Sequence, residues 1–160
     1  MFKRRKDGGF TLIELMIVIA VIGILAVVLV PKMSGVKDSA KYSGVTTNVK
    51  SVEAYVVANI DRWIKTEKTK TEVENLIINQ FKSVSGNELK NPFGGSNAIA
   101  TTGGADEGIV LVTVSSSGST TTIEIAGYGI DTDISSSTSY EEVSKVTVTA
   151  DGQLKAESDD

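Results

Sequence analysis

Residues 8–35 read GGFTLIELMIVIAVIGILAVVLVPKMSG. Within this stretch, positions 10–30 form a run of 21 residues with one ionisable side chain, Glu14. A helix of that length rises about 1.5 Å per residue and reaches roughly 31 Å, enough to cross the hydrocarbon core of a bilayer. It is apolar on every face, unlike the one-sided helices that cover a soluble core. Ahead of it, Lys3, Arg4, Arg5 and Lys6 stand against Asp7. That positive bias predicts a cytoplasmic N-terminus, with everything after Pro31 on the far side. A secretory signal has a shorter apolar region, about 7–15 residues, followed by a small-x-small cleavage site. Here the run ends in Val-Leu-Val-Pro-Lys, so the reading is a retained membrane helix.

Beyond Pro31 the periodicity changes. Tyr42, Val45, Val49, Val52, Val56, Ile60 and Trp63 recur at steps of three and four, which is one apolar stripe on a helix. Lys41, Lys50, Glu53, Asp61, Arg62 and Lys65 lie largely off it. The stripe is expected to pack on the chain's own globular module, with Tyr42 and Trp63 as anchors. A helix over 10–65 would span about 84 Å, bent where Pro31 removes a backbone bond. Thr71 followed by Glu74 resembles a capping box, and Val73, Ile77, Phe81 and Val84 continue at helical spacing. A short helix over 72–84 follows, ending near Gly86. The cluster Asn91-Pro92-Phe93-Gly94-Gly95 reads as a turn, and 94–104 as loop.

The last third reads as β structure. Strands are expected over 109–114, 121–126 and 143–149, broken by the linkers SSSGST and SSSTS. Three strands at this spacing form an antiparallel meander with one face on the long helix, because bare strands are not stable alone. The polar tail KAESDD is expected to fray. The fold class is therefore α+β: a long N-terminal helix on a small antiparallel sheet. The organisation is 1–9 leader, 10–30 membrane helix, 31–65 amphipathic half, and 66–160 headgroup.

Composition removes whole classes of chemistry. The 160-residue chain has neither cysteine nor histidine. That excludes disulfides, Cys-based zinc and iron–sulfur sites, cysteine nucleophiles and histidine triads. The net charge of −4 gives no nucleic-acid footprint. No glycine loop ending in Lys-Ser/Thr is present to cradle a nucleotide. Asp131 and Asp133, or Asp106 and Glu107, are the acids nearest to a calcium pattern, but a D-x-D pair without a surrounding ligand loop does not make one. No catalytic residue, metal or cofactor is expected.

The segment Gly8-Gly9-Phe10-Thr11-Leu12-Ile13-Glu14, after a basic leader and before the apolar run, closely resembles the prepilin signature of type IV pilins and pseudopilins. The resemblance covers residues 1–35. It implies cleavage after Gly9 by an aspartyl membrane peptidase and methylation of the new amine of Phe10. Glu14 becomes the fifth mature residue and Pro31 the twenty-second. It also implies that Glu14 pairs with the Phe10 amine of a neighbouring subunit, which sets register and draws subunits into a filament. Phe10, Thr11, Glu14, Gly23 and Pro31 are then assembly residues, with helix lost between Gly23 and Pro31 on packing. The turn at Asn91-Pro92-Phe93-Gly94 is similar to a Pro-aromatic-Gly turn in several family members. The cysteine pair of many pilins is missing, which leaves the C-terminal region to packing and hydrogen bonds.

The reading is a structural, non-enzymatic subunit of a type IV pilus, anchored in the bacterial cytoplasmic membrane as precursor and exposed on the cell surface when assembled. Loss of the leader leaves 12 basic and 19 acidic residues, a charge of −7. The implied partners are other copies of the chain, the prepilin peptidase, and the platform protein and ATPases of the assembly machine. The alternative is a major pseudopilin of a type II secretion or DNA-uptake system. A reading of another class is a membrane-tethered binding module or enzyme, for which the helix is a plain anchor.

Overall fold

In the computed structural model, which describes residues 10–29, 33–82, 88–130 and 140–157, the apolar run forms helix α1 (Leu12–Leu29). Leucine and the β-branched isoleucine and valine fill most of it, and none of its residues is buried against the described residues of the chain. Helix α2 (Met33–Lys65) follows. The chain divides into two compact units, Met1–Ser39 and Ala40–Asp160. Pro31, the expected site of the bend, lies outside the described residues.

In the second unit the apolar stripe of α2 is the core. Val45, Val49, Val52 and Val56 are wholly buried, Ile60 and Trp63 nearly so. Burying one such side chain contributes about 1.5–3 kcal/mol, which outweighs the modest helix propensity of β-branched residues. Tyr42 is half-buried and donates its hydroxyl to the Ile130 carbonyl at 2.6 Å.

Helix α3 (Lys70–Phe81) buries Val73, Ile77 and Phe81. Its cap is Thr69, with Glu72 completing the capping box, rather than Thr71 with Glu74. Both pairs satisfy the same pattern. The choice is made by the neighbouring backbone, where Lys155 N–H donates to the Lys68 carbonyl at 2.9 Å and Thr69 bridges Lys155 in parallel register. The helix ends at Phe81, earlier than expected, and the C-cap Lys82 is extended. Val84 and Gly86, expected at its end, lie outside the described residues.

The sheet has four strands in sequence order: β1 (Ile99–Ala100), β2 (Val110–Ser117), β3 (Thr120–Ile130) and β4 (Tyr140–Asp151). The three long strands form the expected antiparallel meander. The sheet is nevertheless mixed, because β1 pairs with β2 in parallel register, Ile99 beside Val110. This two-residue strand sits inside the stretch read as loop. It is held by the Val110 N–H bond to the Ala98 carbonyl at 2.9 Å and by burial of Ile99. β2 and β3 run longer than expected, through Ser115, Ser116 and Ser117, and meet at a two-residue turn in which Gly118 takes φ +59. Such primed turns match the strand twist and need positive φ, so the serines remain in the ladder.

The inner face of the sheet carries Val110, Val112, Val114, Ile123 and Ile125, all buried against α2 and α3. Tyr55 packs edge-on to Phe81 and tilted on Trp63, at 5.6 and 5.8 Å between centroids. The C-terminal segment is attached rather than frayed as far as Glu157, as described below. Residues 158–160 lie outside the described residues.

Candidate functional site

Of the residues singled out by sequence, Phe10, Thr11 and Glu14 stand together at the start of α1. Phe10 and Thr11 are non-helical and the helix begins at Leu12. Phe10 is 93 % exposed, so the residue after the expected cleavage point is almost uncovered by the described chain. Thr11 is the N-cap. Its hydroxyl oxygen accepts from Glu14 N–H at 3.3 Å, while the Glu14 carboxylate accepts from both the Thr11 N–H and the Thr11 hydroxyl at 2.8 Å. This is a reciprocal capping box.

The arrangement answers a physical problem posed by the sequence. A carboxylate inside an apolar helix is costly unless it is paired. At the third helical position it faces the unpaired amides and the positive end of the helix dipole. Glu14 therefore has donors within its own chain, besides any amine supplied by a neighbour. The sequence reading does not include this cap. Its signal, Thr-x-x-Glu immediately before an apolar run, is the same pattern that points to Thr71 and Glu74.

Gly23 lies within α1, and a Cβ built on it meets nothing within 4 Å. Gly9 and Pro31 lie outside the described residues. The Asn91-Pro92-Phe93-Gly94 turn is present: the Asn91 carbonyl accepts from Gly94 N–H at 3.1 Å and its side-chain oxygen from Phe93 N–H at 2.9 Å. The Asn91 amide donates to the Asn97 and Glu107 carbonyls at 2.9 and 2.7 Å, which ties the turn to the start of β2. Phe93 stacks edge-on against Tyr42 at 5.7 Å, with the Lys41 ammonium 4.9 Å from its ring centre. These contacts give the turn a role in holding the loop on α2.

Asp131 and Asp133 lie outside the described residues. Among the described residues, no three Asp or Glu side chains converge as a metal site. One described helix, α1, is long and apolar enough to cross a membrane.

Comparisons with known proteins agree with the N-terminal reading. The prokaryotic N-terminal methylation motif matches residues 4–30. A prepilin peptidase-dependent protein A of Clostridium perfringens is 48 % identical over 54 residues, 34 % of this chain and 39 % of that protein. A type II secretion system core protein G of Vibrio cholerae is 42 % identical over 53 residues, 33 % and 36 % of the two chains. The type IV major pilin protein PilA of Myxococcus xanthus is 47 % identical over 47 residues, 29 % and 21 %. The match spans less than two-fifths of the length of these relatives. No solved structure matches.

Proposed function

We propose that this chain, whose N-terminal third is that of the type IV pilins and pseudopilins, is a structural subunit of a type IV pilus. The observation that carries the reading is the methylation motif of residues 4–30, which contains the whole 18-residue helix α1, none of whose residues is buried. An apolar rod of this kind needs a surrounding, first lipid and then its own copies. Packing such rods side by side removes apolar surface from water at about 25 cal/mol per Å². A head-to-tail contact that does not close generates a helical filament.

In this reading residues 1–9 are the leader and 10–30 the membrane helix and filament core. Residues 31–65 are the amphipathic half, and 66–160 the headgroup. The peptidase cleaves after Gly9 and the amine of Phe10 is methylated. Before cleavage the Thr11–Glu14 box satisfies the carboxylate. After cleavage the new amine of a neighbouring Phe10 competes for the same oxygens, and Gly23 and Pro31 let the helix loosen as subunits pack. The N-terminus faces the cytoplasm and the headgroup the outside. A platform protein and partner ATPases supply the work.

The test is the intact mass and N-terminal sequence of protein sheared from the cell surface. A chain that begins at Phe10 with one added methyl supports the reading. A chain from Met1 confined to the membrane fraction overturns it. A processed chain that stays in the envelope of cells at native expression points to the pseudopilin alternative.

A further inference from the structure

The last described residues bind the rest of the headgroup at four places. Gly152 N–H donates to the Ser119 carbonyl at 2.6 Å, and the Gly152 carbonyl accepts from the Thr121 hydroxyl at 2.8 Å. Thr121 is wholly buried, so this carbonyl satisfies a polar group that is otherwise costly to bury. Leu154 is buried in the main core cluster. Lys155 N–H donates to the Lys68 carbonyl at 2.9 Å. Finally, the Glu157 carboxylate accepts from Thr71 N–H at 3.0 Å and from the Thr71 hydroxyl.

Thr71 is the second residue of α3, so Glu157 supplies a carboxylate to one of the helix's unpaired amides from 86 residues away. An open groove of about 350 Å³ runs along this segment, lined by Lys70, Ser116, Leu154, Lys155 and Glu157 among others. The attachments differ in kind. Those at Gly152, Leu154 and Lys155 involve backbone, hydroxyl and apolar groups, which do not titrate. The outermost one depends on a carboxylate.

We infer that residues 152–157 form a reversible, acid-released strap that clasps the N-terminus of α3 to the β2–β3 hairpin. Its hinge is Gly152, at φ +122. Its catch is the Glu157–Thr71 pair. The ionisable groups facing the catch are Lys70 and, at the same helix end, Lys68, Glu72 and Lys155. The positive charge of Lys70 beside the carboxylate favours the closed strap. Glu72 shares the first turn of α3 and is engaged by Thr69 and Lys68. Protonation of Glu157 turns an ion-assisted acceptor into a weak one, and the strap peels from Glu157 towards Gly152. The chain has no cysteine to make this closure permanent.

The experiment is hydrogen exchange of the full chain in detergent micelles, read at the amides of Thr71 and Lys155 and corrected for intrinsic rates. It compares neutral with acid pH, for the parent protein, Glu157→Gln and Thr71→Val. Fluorescence of Trp63 reports whether the core stays folded. The expected result is that Glu157→Gln exchanges these amides roughly fivefold faster at neutral pH. Strands β2 and β3 keep their protection, and the acid response of the strap is abolished. Thr71→Val, which keeps the amide but removes the hydroxyl, falls between. Equal exchange in the parent and Glu157→Gln overturns the proposal. So does acid release that persists unchanged in Glu157→Gln, or acceleration that spreads evenly into β2 and β3.

Discussion

Gly127 lies where α2 crosses β3, and the sharpest prediction concerns an alanine placed there. A Cβ at Gly127 would stand 2.5 Å from Val45 Cγ1 and 2.7 Å from Val49 Cγ2. Carbon atoms prefer about 3.5–4.0 Å, so the overlap is roughly an ångström on two sides. Valine in a helix is largely confined to one rotamer, so neither side chain can rotate clear. Relief must come from lifting α2 off the sheet, which also loosens Val52 and Val56 along the same stripe. Overpacking of this kind costs about 1–3 kcal/mol. For a unit of this size, about 2 kcal/mol corresponds to a fall of roughly 8 °C in Tm. Val45→Ala alone removes two methyl groups from a wholly buried site and should cost roughly 2 kcal/mol.

The two changes share one gap, so they should not add. Combined, they should be less destabilising than the sum by at least about 1 kcal/mol, because the shortened Val45 leaves room for the new methyl. The assay is urea or thermal unfolding of the full chain in micelles, followed by Trp63, the one tryptophan of the chain and 2 % exposed. Additive effects, or a Gly127→Ala protein as stable as its parent, would refute the close crossing of helix and strand.

Three further outcomes can be checked with the same material. Trp63→Ala should cost about 3–5 kcal/mol, the range for emptying an aromatic site. Trp63→Phe should cost far less, because the indole N–H it removes has no hydrogen-bond partner among the described residues; equal losses in urea unfolding followed by circular dichroism would contradict this. Gly23→Ala should leave the monomer intact or raise its helicity by circular dichroism, since the added methyl meets nothing within 4 Å. A fault seen only in assembled filaments then belongs to contacts between copies. The third outcome is a pH profile. Glu72 is held below its ordinary pKa by the Thr69 amide and then by Lys68, and Glu157 by the hydroxyl and amide of Thr71. A carboxylate whose pKa falls on folding stabilises the fold above its unfolded pKa and loses that contribution as the pH drops through the folded value. Lys145, raised by Glu124 at 2.8 Å, has the opposite window: its contribution is present below the ordinary lysine range and lost as the pH climbs through the raised value. Stability should therefore decline at both extremes, and Glu72→Gln should flatten the acid limb alone.

How far the sequence could be read depended on what kind of force set each element. The stripe from Val45 to Trp63 was legible because burial follows helical period, strands β3 and β4 because alternation follows the pleat, and β2 as a mostly continuous apolar run between turn signals. Strand β1 was not, since two residues have no period and its pairing comes from a parallel neighbour beginning 11 positions later. The cap of α3 was ambiguous between Thr69 and Thr71, as the deciding contact with Lys155 lies 86 residues from Thr69. The same distance hid the attachment of Glu157, whose polar neighbourhood reads as a loose end. At the N-terminus the methylation motif was visible residue by residue. What went unread was that Thr11 closes a capping box on Glu14, although the spacing for it stood in the motif.

Gly127 and Gly129 have a mechanical meaning as well. Val45 and Val49 fit over the first and the Tyr42 ring over the second, like teeth in two successive notches of a rack. Pulling along the axis of α2 loads this joint in shear, where all the teeth must fail together. Pulling α2 away from the sheet loads it in peel, where the teeth disengage in succession. The headgroup should withstand much greater tension along its helix than across it.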